Sequence, residues 1–152
     1  MTDGIPATGK AHIFDIGGSV PQPLNHRMKQ KWMTGLSWFM ALMLINSGLN
    51  KFFQYMPVPE GLPEALVRDN AAFAEISWLM PLVGVAEIVG ALLLLSARTR
   101  ALGALVVFPV MVGVLLTHVF VYPGGLPVAL IAWAILGWIL YEHREKYLPM
   151  VR

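Results

Sequence analysis

The sequence predicts an all-α fold: a four-helix transmembrane bundle with both termini in the cytoplasm and a short amphipathic helix in the outer loop. Three observations carry that reading. Hydrophobic residues make up 57% of the 152 and charged residues 13%, against roughly 45–50% and about 25% in soluble domains. Between positions 76 and 141 only Glu87, Arg98 and Arg100 carry formal charge, too few to clothe that stretch in water. Lys and Arg gather at alternate boundaries of the apolar segments. The same distribution excludes an ordinary globular domain, a disordered chain and a nucleic-acid module. The net charge of +2 does not indicate a nucleic-acid partner, because the basic residues cluster at membrane boundaries.

Residues 1–31 are polar and rich in Gly and Pro. They lack the apolar run, roughly seven to fifteen residues long, that a signal-peptide core needs. They read as a flexible cytoplasmic tail, with a short interfacial turn possible at 13–16. Four apolar segments follow, at 32–49, 77–97, 101–122 and 126–141. A bilayer core of about 30 Å takes roughly 20 helical residues; the first three segments suffice and the fourth is marginal. Helix is required because a lipid-exposed backbone must satisfy its own hydrogen bonds. No segment alternates as a barrel strand would. The transmembrane domain is therefore expected at 32–143, with a short cytoplasmic tail at 144–152. Pro109, in the middle of the third segment, predicts a kink.

Within the loop between the first two segments, residues 63–76 place Pro63 at a helix start and Glu64 in its first turn. Leu66, Ala72, Phe73 and Ile76 recur at helical spacing, which predicts an amphipathic helix on the outer surface or capping the bundle. Orientation follows from the basic residues. Lys10, Arg27, Lys29, Lys31, Arg98, Arg100, Arg144, Lys146 and Arg152 fall on one side, and only Lys51 and Arg68 on the other. The positive-inside rule puts the first side in the cytoplasm.

Glu87 is the main candidate for chemistry. It lies near the middle of the second segment, where a carboxylate costs roughly 2.5–3.5 kcal/mol on insertion scales. It is expected to face the interior and to be largely protonated, as a proton-relay or ligand-anchoring group. The bland reading is an interhelical hydrogen-bond donor. His118, near the outer end of the third segment, is the second candidate; its bland reading is an interfacial histidine. Asn46 and Asn50 are spaced i, i+4 and share a helix face, with Lys51 next along. Counting depth from the helix ends puts Asn46, Asn50, Lys51 and His118 around one polar pocket with Glu87 at its floor. Alternatively, Lys51 snorkels to the interface and the Asn pair caps a helix end. Ala86 and Gly90 form a small-xxx-small pair suited to helix packing.

There is no cysteine, which excludes disulfides, c-type haem attachment and iron–sulfur ligation by this chain. His118 is the only intramembrane histidine, so a self-contained b-type haem is not expected. No metal-ligand cluster or Gly-rich phosphate loop occurs, and no metal site is predicted.

These features together resemble the DoxX-like family of small four-helix membrane proteins. The matching residues are GLNKF at 48–52, Glu87 with Gly90 in GVAEIVGALLLL, SARTRALGAL at 96–105 and LLTHVF at 115–120. The resemblance covers roughly 32–143. It implies a multi-pass protein of the bacterial inner (cytoplasmic) membrane, similar to quinone-linked subunits of redox enzymes. The expected function is an integral membrane accessory subunit of a redox system, as in the membrane subunit of a quinone-linked oxidoreductase. Its cofactor would be a quinone or similar apolar ligand, with Glu87 and His118 as proton or hydrogen-bond partners and Asn46, Asn50 and Lys51 around it. Its partners would be the lipid bilayer and either a redox enzyme subunit or a second copy of the chain. The alternative is a structural or assembly subunit without ligand chemistry. A small transporter is a third reading, disfavoured by the lack of an inverted repeat.

Overall fold

The fold, taken from a computed structural model, is described for residues 24–57 and 59–148. Six helices follow in order: α1 (Leu24–Phe53), α2 (Glu64–Glu75), α3 (Leu79–Leu95), α4 (Arg100–Phe120), α5 (Leu126–Glu142) and α6 (Arg144–Tyr147). A short 3-10 turn, Pro123–Gly125, links α4 to α5. There is no strand among the described residues. The stretches Arg27–Phe53, Arg100–Phe120 and Pro123–Glu142 are each long and apolar enough to cross a membrane. Taken with α2, from which it turns by 95°, α3 makes a fourth. Its 17 residues span about 25 Å at 1.5 Å per residue. The chain is thus an all-helical, multi-pass membrane bundle.

Around the bundle, α1 packs on α3, α3 on α4, α4 on α5, and α5 more lightly on α1. The helices alternate in direction, so α1 and α4 stand at opposite corners. One end carries the start of α1 and the close of α5, and is called the termini end; the other, with α2 and the 3-10 turn, is the loop end. Every long helix supplies the shared core: Met40, Ala41 and Leu44 from α1, Ala91 and Leu94 from α3, Val107 and Met111 from α4, Leu136 and Ile139 from α5. Lipid is as apolar as these side chains, so their association rests on close packing rather than on leaving water.

Glycines set that closeness. A Cβ on Gly48 of α1 would lie 2.7 Å from Ile88 Cγ1 and 2.9 Å from the Gly84 carbonyl oxygen of α3. A Cβ on Gly103 of α4 would lie 2.8 Å from both the Gly90 oxygen and the Leu94 nitrogen of α3. So α3 approaches both neighbours at backbone contact. On α3 the buried residues are Gly84, Glu87, Gly90, Ala91 and Leu94. Gly90 makes the close contact expected of it, against Gly103 and Val107 of α4, whereas Ala86 is only half-buried and the small residue that meets α1 is Gly84.

The apolar segments appear as helices with ends shifted by a few residues, the largest shift being at α1. It begins eight residues before the predicted start, inside the segment read as tail. The rest of that segment, including 13–16, lies outside the described residues. Through Pro109, α4 runs as one helix. Trp133 Nε1 donates to the Met111 carbonyl at 2.9 Å, and its ring meets Phe108 edge-on at 5.6 Å, locking α5 onto α4 on either side of the proline. In α2, which buries no residue, the amphipathic helix expected there is present. It lies beside the loop end of α4, where Leu66 and Phe73 face Leu116 and Phe120 across a shallow cavity of about 240 Å³.

Candidate functional site

The polar centre of the bundle is an ion pair between α1 and α3. Lys51 Nζ lies 2.7 Å from Glu87 Oε2, and the two side chains are 21% and 4% exposed. Ser47 completes the cluster: its hydroxyl donates to Glu87 Oε1 at 3.4 Å and accepts from Lys51 Nζ at 3.1 Å. Ser47 and Lys51 are i, i+4 on α1 and therefore share one face. Gly48 lies between them and lets α3 come close enough for the carboxylate to reach both. Inside an apolar bundle a carboxylate must be neutralised or paired. Here an ammonium and a hydroxyl occupy its two oxygens, so Glu87 has the partner whose absence led to the protonated reading.

Glu87 does face the interior, as expected. Lys51 does not snorkel outward; its ammonium turns back to Glu87. The depth count failed because α1 continues to Phe53 rather than stopping at 49, which sets Lys51 deeper relative to the helix end. A lysine stem spans the remaining distance.

The four-residue pocket expected at the outer end is not formed. Asn46, exposed, receives the Tyr55 hydroxyl at 2.5 Å on its side-chain oxygen, and the same hydroxyl also donates to the Asn46 carbonyl at 2.9 Å. Asn50 Oδ1 accepts the Met56 amide at 2.8 Å. Together they fasten the chain where α1 ends, at Gln54, which has a φ of 48°. The Asn pair therefore closes a helix end, the blander of the two readings. His118 sits on α4, across the bundle from α1. Its Nδ1 donates to the Val114 carbonyl at 2.7 Å, which leaves Nε2 as the acceptor of a neutral ring. The ring packs 6.0 Å from Tyr122 and against Gly125, where any Cβ would collide with its Cδ2 and Nε2. His118 thus tucks the 3-10 turn against α4, and no hydrogen bond links it to Glu87, Lys51 or either Asn among the described residues.

Ser47 is the member that sequence reasoning missed. Its signal was available in the i, i+4 spacing to Lys51. Chemically, the cluster can donate a hydrogen bond and exchange a proton. An ammonium has three N–H donors, and two are engaged by Glu87 and Ser47. Among the described residues no three His, Asp or Glu side chains converge as a metal site.

A family model described as DoxX matches residues 34–121, a span that contains Ser47, Lys51, Glu87 and His118. No curated protein and no solved structure is significantly similar to the chain.

Proposed function

The chain belongs to the DoxX family, and from the Ser47–Lys51–Glu87 cluster we propose that it is an integral membrane accessory subunit of a redox system that contacts a quinone or a comparable apolar carbonyl compound. The observation that carries this reading is the third N–H of Lys51. Glu87 and Ser47 use two, and the side chain keeps 21% of its surface open. A carbonyl oxygen arriving through the bilayer would find a cationic donor in a low-dielectric setting, where a charge-assisted hydrogen bond is strong. Negative charge growing on that oxygen during reduction would be stabilised by Lys51, and Glu87 would hold the proton balance of the site. Electrons would come from a partner protein. His118, Asn46 and Asn50 play no part in this contact. The basic residues of the termini end support a cytoplasmic location for both termini, in a bacterial inner membrane.

A structural or assembly role is the second reading, and one observation favours it. Both oxygens of Glu87 are already met by α1, so the pair alone is enough to set the α1–α3 register. The two readings separate on solvent extraction of detergent-purified protein. A stoichiometric quinone that is lost in Lys51→Met, with the helical fold retained, supports the redox reading. Protein free of extractable quinone, bringing a partner through purification, supports assembly.

A further inference from the structure

At the termini end, α1 and α5 are the most loosely packed neighbours in the bundle, and a groove of about 360 Å³ lies between them. Lys29, Gln30 and Met33 of α1 line one wall; Trp138, Glu142 and His143 line the other. Its polar groups are sorted by chemistry. The α1 wall offers donors, the Lys29 ammonium and the Gln30 amide. The opposite wall offers acceptors. Glu142 carries a carboxylate, touched within the protein by Trp138 Nε1 at 3.4 Å. His143 is only 9% exposed, and its Nδ1 donates to the Ile139 carbonyl at 2.8 Å. That bond leaves Nε2 of the neutral ring as an acceptor, with no protein partner among the described residues.

Two residues suit the groove to headgroup depth. Glu142 is the last residue of α5, and Trp32, 65% exposed on α1, has the side chain that favours the membrane interface. Behind this end, Arg100 is 1% exposed. Its Nε donates to the Leu94 carbonyl at 3.2 Å, and it makes no salt bridge among the described residues.

We propose that this groove is a headgroup site for an aminophospholipid: a phosphate diester bearing a primary ammonium. The phosphate lies against Lys29 and Gln30. The ammonium, with three N–H donors, lies against Glu142 and His143 Nε2. Met33 and Trp138 flank the glycerol region, and the acyl chains leave through the loose α1–α5 seam into the bilayer. A phosphoglycerol headgroup would bring no cation to Glu142. A choline headgroup would bring a cation without N–H donors, leaving His143 Nε2 unmet. The walls thus carry a complement to the primary amine and one to the phosphate, and the loose seam gives the tails a way out.

Delipidated full-length protein, mixed with phosphatidylethanolamine, phosphatidylcholine and phosphatidylglycerol of identical acyl chains, tests this by native mass spectrometry of one-to-one adducts. The phosphatidylethanolamine adduct is expected to exceed each of the others by about three- to fivefold, the size of one partly exposed ionic contact. Glu142→Gln, an exposed position, should remove that preference while the protein stays folded by circular dichroism. Lys29→Ala should weaken all three lipids alike, since all carry the phosphate. Equal retention of the three lipids, preference for phosphatidylglycerol, or an unchanged preference in Glu142→Gln would each overturn the proposal.

Discussion

Lys51 on α1 and Glu87 on α3 are joined at 2.7 Å, beside the close contact that Gly48 makes with Gly84 and Glu87. Pairing and packing are therefore coupled: the carboxylate reaches the ammonium because two glycines let the helix backbones touch. Removing either charge strands the other in an apolar setting. Glu87→Leu and Lys51→Met should each lower stability in detergent by about 2–4 kcal/mol, somewhat under the range for a fully buried pair because Lys51 is partly open. Replacing both by apolar residues, Lys51→Met with Glu87→Leu, should recover most of that loss. Denaturant titration of the four proteins gives the coupling; double-mutant effects that simply add would show that the two groups act independently.

The glycine contact predicts its own hierarchy. Gly48→Ala puts a Cβ against backbone oxygen of α3, which cannot rotate away, so α1 and α3 must separate. A loss of about 1–3 kcal/mol is expected, as for overpacking generally. Gly113→Ala on α4 meets nothing within 4 Å and should be neutral or stabilising by up to about 1 kcal/mol, since glycine weakens a helix interior. Thermal unfolding of the pair checks the contrast.

Much of this architecture was legible from residue order alone, because lipid leaves the backbone few choices. The segment predicted at 101–122 is α4 at Arg100–Phe120, and that at 126–141 is α5 at Leu126–Glu142. Burial of Glu87 followed from its depth on an apolar helix. Its partner did not, for two physical reasons. Hydropathy falls after Leu49, whereas α1 continues through Lys51 to Phe53. Equal depth also does not make adjacency: His118 and Asn46 occupy helices at opposite corners. Which faces of two helices meet depends on glycine placement across the pair, and one helix's periodicity does not contain that information.

Gln54 closes α1 in the left-handed region, with a φ of 48°, a conformation that glycine adopts without a Cβ penalty. The hydrogen bonds from Tyr55 and Met56 to Asn46 and Asn50 hold it there. Gln54→Gly should therefore raise stability by about 0.5–1 kcal/mol. Asn50→Ala, which orphans the Met56 amide, should lower it by a similar amount. A stability decrease in Gln54→Gly would show that the glutamine side chain itself carries the turn.

His118 is held by geometry at the α4–turn junction rather than by ligand contact. Gly125→Ala drives a Cβ into its ring, so the ring must leave its place against the turn or the turn must move. His118→Ala makes room instead. Gly125→Ala alone should destabilise, and the double variant with His118→Ala should be close to His118→Ala alone. Quinone retention, where present, should be unaffected by His118→Ala. A lost ligand in that variant would return His118 to the binding site.

Tyr147 on α6 ties the chain back to the start of α4, its hydroxyl donating to the Ala101 carbonyl at 2.9 Å. Burial raises its phenol above the usual value near 10, because the folded state disfavours the charged phenolate. The unfolded chain ionises first as pH rises. The stabilisation is therefore complete below about pH 10 and is lost as pH climbs through the raised folded value. Tyr147→Phe removes the hydrogen bond and should cost about 0.5–1 kcal/mol at neutral pH. It should also remove this one contribution to alkaline sensitivity, whereas other tyrosines and lysines titrate equally in both proteins. The Tm gap between wild type and Tyr147→Phe, followed from pH 7 to about pH 11, is thus expected to hold steady and then narrow. A gap that stays constant through that range would mean that the tyrosine contributes packing alone, and that its hydroxyl does not anchor α6.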